Sequence, residues 1–391
     1  PAGGEGFRVG LSFFSNGLLG IPTSPMRLLL LEPYDTGSHA VWLRGYAAHS
    51  AHDVHLLTLE GQFWQWRMLG GAVALAERFR ALDAPPDLIV ASDMLDLTTF
   101  LALTRPIAAR IPAALYFHEN QLTYPRGPRQ KLQQHYAFIN YTSALAADAV
   151  FFNSAFHRDA FLDELPRLLK HYPDHSGLHT VEAIRARSSV LPVGLDLRRY
   201  DAHRPAAARD PARPPLILWN HRWEYDKNPA PFFAALDALA AEGVPFQVAI
   251  VGENTRQDPA EFDTERERLG AHVVRFGYVE SFAEYARLLW EADVVVSTAN
   301  QDFFGISVVE AITCGCWPVL PRRLNYPALV PEAWHTETIY ARDGDLLPLL
   351  RARLRQRRPA PPELRAHVAQ FDWAQMAPLY DQAFAALLSG R

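Results

Sequence analysis

Twice along this chain, short apolar runs rich in Leu, Val and Ile lead into helical stretches of about 10 to 20 residues, and between the two series the rhythm stops. The first series pairs "RLLLLEPY" with "SHAVWLRGYAAHS", "DVHLLTL" with "WQWRMLGGAVALAERF" and "DLIVAS" with "LDLTTFLALTR". It continues with "AALYFHEN" before "QQHYAFINYTSALAAD", and "AVFFNS" before "FHRDAFLDELPRLL". The break is "RRYDAHRPAAARDPARPP", residues 198–215, rich in Pro, Ala and Arg and without an apolar period. "LILWNHRWE", "FQVAIVGEN", "HVVRFGYV" and "DVVVSTA" then alternate with helical stretches again. Continuous apolar runs followed by helices are the pattern of parallel strands covered on both faces. The expected fold class is therefore α/β, with two Rossmann-like, doubly wound parallel-sheet domains facing a central cleft. They span residues 26–197 and 216–370, with 198–215 as linker. Residues 371–391 read as an amphipathic terminal helix, expected to pack back on the first domain.

The 391 residues are enough for two domains, and 49% hydrophobic with 21% charged residues suits sizeable cores. No apolar run reaches the roughly 18 residues of a membrane span, so no membrane partner is expected. A formal charge of −5 gives no bulk attraction to nucleic acid, although a local basic patch remains possible. Cys314 and Cys316 cannot build a disulfide framework and read as buried thiols, consistent with a cytoplasmic protein. Residues 1–25 hold a short apolar run broken by Asn16 and Gly17, without a strongly positive start. They read as an extension outside the fold rather than a signal peptide.

"QDFFGISVVE", residues 301–310, follows the buried "DVVVSTA". A helix starting near Gly305 would aim free N–H groups at an anion such as a diphosphate, and Gly305 permits close approach. Asp302 could accept hydrogen bonds from sugar hydroxyls, and Glu310 could reach a ribose diol. An alternative is an ordinary helix-start acid followed by a surface Glu. "WNHRWEYDKNP", residues 219–229, places Arg222 and Lys227 in one loop, where both could neutralise a leaving diphosphate.

In the first domain, "EPYDTGSHAVW" offers Gly37 for a tight turn and a helix start near Ser38, read either as an anion site or as a simple cap. "YFHENQLTYP" puts His118 and Glu119 at a strand's carboxyl end, where this architecture carries chemistry. Trp64, Trp66 and Arg67 could stack on an extruded base or form the core face of a helix. "DGD", residues 343–345, matches a short D-x-D metal pattern but lies far along the chain from the other motifs.

Together these residues resemble retaining glycosyltransferases of the GT-B fold, family 4. That family usually carries Glu at both ends of the carboxylate motif; here the first is Asp302, one methylene shorter, which bears on sugar preference. "EPYDTGSH", "FWQWR", "YFHENQLTYP", "VFFNSAFHRDAFL", "HRWEYDKNP" and "FFGISVVEAITCGCWPV" further resemble the tRNA-queuosine mannosyltransferases, over most of residues 26–330. The resemblance implies transfer of mannose from GDP-mannose to the cyclopentenediol of queuosine in tRNA, with retention, and no required cofactor or metal. His118, Arg222, Lys227 and Asp302 are the implied catalytic residues. The donor would be held by Gly37, Ser38, His39, Arg222, Lys227, Gly252, Asp302, Phe303, Gly305, Ile306 and Glu310. The acceptor candidates are Trp64, Trp66, Arg67, Glu119, Asn120, Arg126, Arg129 and Lys131. Two other readings are a retaining enzyme with a lipid, glycan or small-metabolite acceptor, and a non-catalytic tRNA-binding protein on the same scaffold.

Overall fold

The computed structural model describes residues 25–124, 134–207, 209–210, 212–253, 260–356 and 358–389, with backbone only at 260 and 261. The chain divides into two compact units. The described parts of Pro1–Tyr124, Lys131–Gly194 and Trp373–Arg391 form the first, and those of Leu195–Asp372 the second.

The first unit holds β1 (Arg27–Asp35), β2 (Asp53–Glu60), β3 (Leu88–Ser92), β4 (Ala113–Phe117), β5 (Ala149–Phe152) and β6 (Ser188–Val190). All pair in parallel, in the order β2-β1-β3-β4-β5-β6. Between them run α1 (Gly37–His49), α2 (Trp64–Arg80), α3 (Leu97–Ala108), α4 (Gln134–Ala146), α5 (Ala155–Leu169) and α6 (Thr180–Ala186). β3 and β4 are buried along their whole length, because helices cover both faces of a parallel sheet. Asp96 and Ser154 start α3 and α5 by accepting the backbone N–H groups of Thr99 and His157. Leu29, Leu31, Ile89, Leu115, Phe117 and Phe152 form the centre of one core.

The C-terminal helix (Trp373–Ser389) belongs to this unit. Tyr380 accepts a hydrogen bond from Trp42 Nε1 at 3.0 Å, and Asp381 accepts from the Tyr46 hydroxyl at 2.7 Å. Trp373 sits where a Cβ on Gly45 or Gly194 would come within 2.1 Å or 2.3 Å of its ring. Only glycine at both positions leaves room for that indole.

The second unit holds β7 (Leu216–Asn220), β8 (Gln247–Val251), β9 (Val273–Gly277), β10 (Val294–Val296), β11 (Trp317–Pro321) and β12 (Ile339–Tyr340), all parallel. Its strand order is β12-β11-β10-β7-β8-β9. The helices that matter below are α7 (Pro229–Ala241), α8 (Ala260–Leu269), α9 (Phe282–Glu291) and α10 (Ile306–Thr313). Residues 198–203 form a turn of 3-10 helix with Tyr200 buried, a packed feature inside a segment whose composition suggests only a linker.

Strand order fixes where ligands can bind. In an open parallel sheet the crevice opens at the carboxyl ends of the two neighbouring strands whose connections leave in opposite directions. In the first unit these are β1 and β3, and in the second β7 and β10. Four of the singled-out motifs follow β1, β4, β7 and β10, while the Trp64–Arg67 stretch follows β2 and the D-x-D stretch β12.

Candidate active site

In the second unit, the loops after β7 and β10 are laced together. Asn300 N–H donates to Asp226 O at 2.7 Å, and Thr298 Oγ1 donates to Lys227 O at 3.0 Å. Lys227 Nζ donates to Gln301 O at 2.6 Å and lies 3.2 Å from Asp226 Oδ2. Both members of this ion pair are buried. The ammonium is thus fixed beside the carboxylate loop. Arg222 is exposed, with its guanidinium 3.4 Å from Glu224 Oε1. The charge of one group is built in, and that of the other projects into solvent.

α10 begins as its sequence requires. Gly305 precedes it at φ 101°, and a Cβ there would lie 2.7 Å from Leu329 Cδ1. Gly305 O accepts from the N–H groups of Val308 and Val309. The earlier N–H groups of Ile306 and Ser307 have no intrahelical acceptor, an arrangement that can receive an anion. Asp302 stands before it, its Oδ2 receiving the Tyr326 hydroxyl at 3.1 Å, while Tyr326 itself receives Ser297 Oγ at 2.8 Å. Phe303 is buried. Glu310, one turn into the helix, accepts from Tyr285 at 3.0 Å through Oε2. Burial raises the pKa of Glu310, and hydrogen bonding with Tyr200 and Tyr285 opposes that rise. Asn220, at the end of β7, donates to both the Tyr285 hydroxyl and Ser307 O. Gly252 closes against the same loop: a Cβ there would fall 1.8 Å from His221 O.

In the first unit, a second cluster gathers at the carboxyl ends of β1, β3 and β4. Glu32 is wholly buried in β1, and its Oε2 meets His39 Nδ1 at 2.8 Å. Glu32, His39 and His118 each bring one side-chain oxygen or nitrogen within 4.8 Å of the others. The rings of His39 and His118 lie 4.3 Å apart, and Trp42 and Tyr116 flank His118 at 4.7 and 4.8 Å. Burial disfavours charge on His39, but attraction and hydrogen bonding to Glu32 outweigh it and lift its pKa from 6.5 to about 9. Burial, reinforced by the neighbouring His39, drives His118 the other way, well below its ordinary value. One imidazole is thus charged and its neighbour neutral. Gly37 opens α1 at φ 53°, and Ser38 is exposed beside it.

The acceptor candidates are scattered in environment. Trp64 packs on Tyr136, with ring centroids 5.2 Å apart, in a small cluster with Met68 and Met94. Trp66 is 62% exposed, free for stacking. Arg67 donates from Nε to Glu60 O at 2.9 Å. Asn120 is buried and turned into its own loop, where Oδ1 receives Leu122 N–H and Thr123 N–H. It is a loop former here. Glu119 accepts from Gln121 Nε2. Arg126, Arg129 and Lys131 lie outside the described residues. Asp343 pairs with Arg323 and Asp345 with Arg342, so the D-x-D stretch is engaged in ion pairs. Cys314 and Cys316 are buried and unbridged, and burial pushes the Cys316 thiol to about 12. No helix among the described residues is long and apolar enough to cross a membrane.

Several residues of these sites escape sequence reasoning: Glu32 inside an apolar strand, Asp93 after β3, and Tyr285 and Tyr326, which hold the two carboxylates of the motif. Glu32 had one available signal, an acid within a run of otherwise apolar strand residues.

The buried histidines give stability a two-sided pH dependence. His118, His157 and His221 are held neutral by burial, His221 down to about 3, against about 6.5 in an unfolded chain. The unfolded state binds more protons below pH 6.5, so their contribution is present above that value and lost as pH falls. His39 acts oppositely: its contribution is present below pH 6.5 and lost as pH rises through about 9. Tm is therefore expected to peak near pH 6.5 to 7 and to fall on both sides. Glu32→Gln should flatten the alkaline limb. An unchanged Tm in the wild type from pH 7 to 9.5 would contradict the Glu32–His39 assignment.

Residues 27–195 match the family described as "tRNA-queuosine alpha-mannosyltransferase N-terminal", and residues 204–333 match "Glycosyl transferases group 1". A "tRNA-queuosine alpha-mannosyltransferase" of Drosophila melanogaster is 34% identical over 311 residues, covering 78% of this chain and 82% of that protein. Among solved structures, a sucrose-phosphate synthase from Thermosynechococcus elongatus aligns with TM-score 0.67 at 15% identity, over 93% of this chain and 100% of that one. A UDP-forming trehalose-phosphate synthase from Burkholderia xenovorans aligns with TM-score 0.62 at 15% identity, over 93% and 99%. At such identities these structures speak to fold, and they agree with two parallel-sheet units of GT-B type. The chain is a glycosyltransferase, and it belongs to the tRNA-queuosine alpha-mannosyltransferase family.

Proposed function

We propose that this protein is a retaining mannosyltransferase that moves mannose from GDP-mannose to the cyclopentenediol of queuosine in tRNA. The observation that supports the reading is that Arg222, Lys227, Asp302 and Glu310 lie on the loops and helix start after β7 and β10, in a chain related along most of its length to a tRNA-queuosine alpha-mannosyltransferase. Arg222, Lys227 and the N-terminus of α10 supply positive charge where the leaving diphosphate gains negative charge. Glu310, held by Tyr285, would accept from the ribose diol. Within the second unit, Asp302 would accept hydrogen bonds from hydroxyls of the hexose. The C1–O bond to the diphosphate breaks as the acceptor hydroxyl bonds to C1 on the same face, and the acceptor's proton passes to the departing diphosphate oxygen. The protein contributes position and electrostatics rather than a covalent nucleophile.

On the acceptor side, the exposed Trp66 suits stacking on an anticodon base, worth about 1 to 3 kcal/mol. Arg126, Arg129 and Lys131 would supply phosphate contacts that weaken with salt. The reading is tested by supplying GDP-mannose, UDP-glucose and GDP-glucose in turn with queuosine-containing tRNA, then determining the product's anomeric configuration by NMR. An α-mannoside formed only from GDP-mannose is expected; a β-linkage or preference for a UDP-sugar would reject the reading.

Built-in positive charge also makes a divalent metal unnecessary in this mechanism. Transfer should retain at least half its rate in excess EDTA. Complete loss, restored by Mg²⁺ or Mn²⁺, would overturn the charge assignment to Arg222 and Lys227.

A further inference from the structure

The segment "RRYDAHRPAAARDPARPP" has so far served only as a connection, yet its arginines enter a cavity of about 1300 Å³ within the second unit. Six arginines line that cavity: Arg204, Arg209 and Arg213 from the segment, and Arg275, Arg287 and Arg365 from further along the chain. Among the described residues, three carboxylates line it beside them, those of Asp210, Glu284 and Glu291. The wall thus carries an excess of positive charge in a chain whose formal charge is −5. Leu216 and Gln247, the first residues of β7 and β8, also line it. The donor candidates follow the last residues of β7 and β10, so the cavity lies at the opposite end of the sheet. β7 has five residues, which at about 3.3 Å each put its two ends roughly 13 Å apart.

The arginines divide by what holds them. Arg209 donates from Nε to Trp290 O at 2.7 Å, and Arg213 from Nη2 to Glu291 O at 2.5 Å, so both cap the carboxyl end of α9. Both also approach Asp293, at 3.9 and 3.0 Å. Their charges serve the fold. Arg275 faces Glu284 at 3.4 Å, and Arg365 pairs with Asp201. Arg204 and Arg287 are exposed, and among the described residues no carboxylate pairs with either. The Arg204 guanidinium is nevertheless positioned. It lies 5.0 Å from the centre of the Trp290 ring, and that of Arg365 lies 5.4 Å from the same centre. Two like charges held on one indole repel each other, and an anion in the cavity would relieve that repulsion.

We propose that this cavity is a second docking site for RNA, in which Arg204 and Arg287 contact backbone phosphates of the tRNA away from the reacting nucleoside. Guanidinium forks match phosphate oxygens, and phosphate contacts supply a large share of protein–nucleic acid affinity. The choice of RNA rests on the tRNA reading of the function; the cationic cavity does not. A nucleoside is too short to touch both the crevice and the far end of the sheet, whereas an RNA arm is long enough. The site also supplies a local attraction that the net charge of the chain does not.

Arg204→Glu combined with Arg287→Glu tests the site, because both side chains are exposed and their loss leaves no buried charge. The control is Arg105→Glu with Arg355→Glu, the same change of net charge at two exposed arginines that do not line the cavity. Binding of a fluorescent tRNA transcript lacking queuosine is followed by anisotropy, without donor, over a range of salt. The cavity variant should bind at least tenfold more weakly at low salt with Tm unchanged. Its slope of log affinity against log salt should shrink by about 1.4 to 1.8, the loss of two phosphate contacts. The control should stay within threefold of wild type. In transfer assays, the ratio of kcat/KM for tRNA to that for queuosine nucleoside should fall at least tenfold in the cavity variant. Affinity within threefold of wild type in the cavity variant, or equal losses in the two variants, would overturn the site. If charge reversal lowers Tm, Arg204→Gln with Arg287→Gln decides: at least a threefold loss of tRNA affinity supports the site, and a smaller one rejects it. Competition by poly-glutamate as effective per charge as unlabelled tRNA would assign the cavity to an acidic peptide and reject RNA. Binding needs no turnover. If wild type transfers no mannose but its tRNA affinity depends on the two arginines, the catalytic reading fails and the site stands. If wild type transfers mannose to tRNA and the cavity variant binds as wild type does, the site fails and the reading stands.

Discussion

Lys227→Ala should abolish detectable transfer and lower stability, whereas Arg222→Ala should cut transfer and leave stability intact. Both cations are assigned to the leaving diphosphate, and loss of one such contact typically costs about 2 to 4 kcal/mol in the transition state, roughly 10² to 10³ in kcat. Their surroundings differ. Arg222 is exposed, and its partner Glu224 keeps access to water, so its removal leaves no fully buried charge. Lys227 is buried 3.2 Å from Asp226, whose carboxylate oxygens are buried and make no hydrogen bond. Deleting the ammonium leaves that carboxylate unpaired, which for buried pairs costs about 3 to 5 kcal/mol. Lys227→Met combined with Asp226→Asn should recover most of the lost Tm and none of the activity. Denaturation and single-turnover transfer measured on all three variants check the account. Near-normal turnover in Arg222→Ala and Lys227→Ala would remove the diphosphate site from this loop.

Gly252→Ala should be nearly as damaging, although it changes one hydrogen to a methyl. The added Cβ would lie 1.8 Å from His221 O, well inside contact distance, with backbone rather than a flexible side chain as the obstacle. The strand end at Gly252 and the loop at His221 are held together by Trp223 N–H donating to Glu253 O at 2.9 Å. Relief requires the loop carrying Arg222 and Lys227 to move, so stability should fall by about 3 kcal/mol or more and donor affinity should fall with it. Gly243→Ala is the control. It also has a positive φ, 68°, but open space around it, so only the left-handed strain of roughly 1 to 2 kcal/mol applies and donor affinity is unaffected. Equal losses in the two variants would contradict the close-approach argument.

The local geometry of the second unit's carboxylate loop was legible because its signals are local. "DFFGISVVE" carries the left-handed Gly305, the start of α10 and Glu310 within nine residues, and each falls where that stretch implies. The two-series rhythm likewise resolves into two six-stranded parallel sheets. What the sequence hid depends on distant partners. "ASDMLDL" reads as a strand end before a helix cap, and Asp96 is indeed the cap, but Asp93 matters through amides 25 and 26 residues away. Tyr326 and Tyr285 sit in stretches with no catalytic pattern and act only because the fold brings them to Asp302 and Glu310. Trp373 depends on Gly45 and Gly194, which no periodicity connects to it. Asn120, a polar residue in the motif that carries His118, turns its side-chain oxygen to its own loop, a partner the motif does not announce.

The central claim is that the acceptor is queuosine in tRNA. It is tested by incubating the protein with radiolabelled GDP-mannose and total tRNA from cells grown with and without a queuosine source. The account predicts acid-precipitable label only with the queuosine-containing tRNA, abolished by Arg222→Ala together with Lys227→Ala. Equal labelling of both tRNA pools, or label found only in a lipid extract added in parallel, would contradict it and assign these same donor residues to another acceptor.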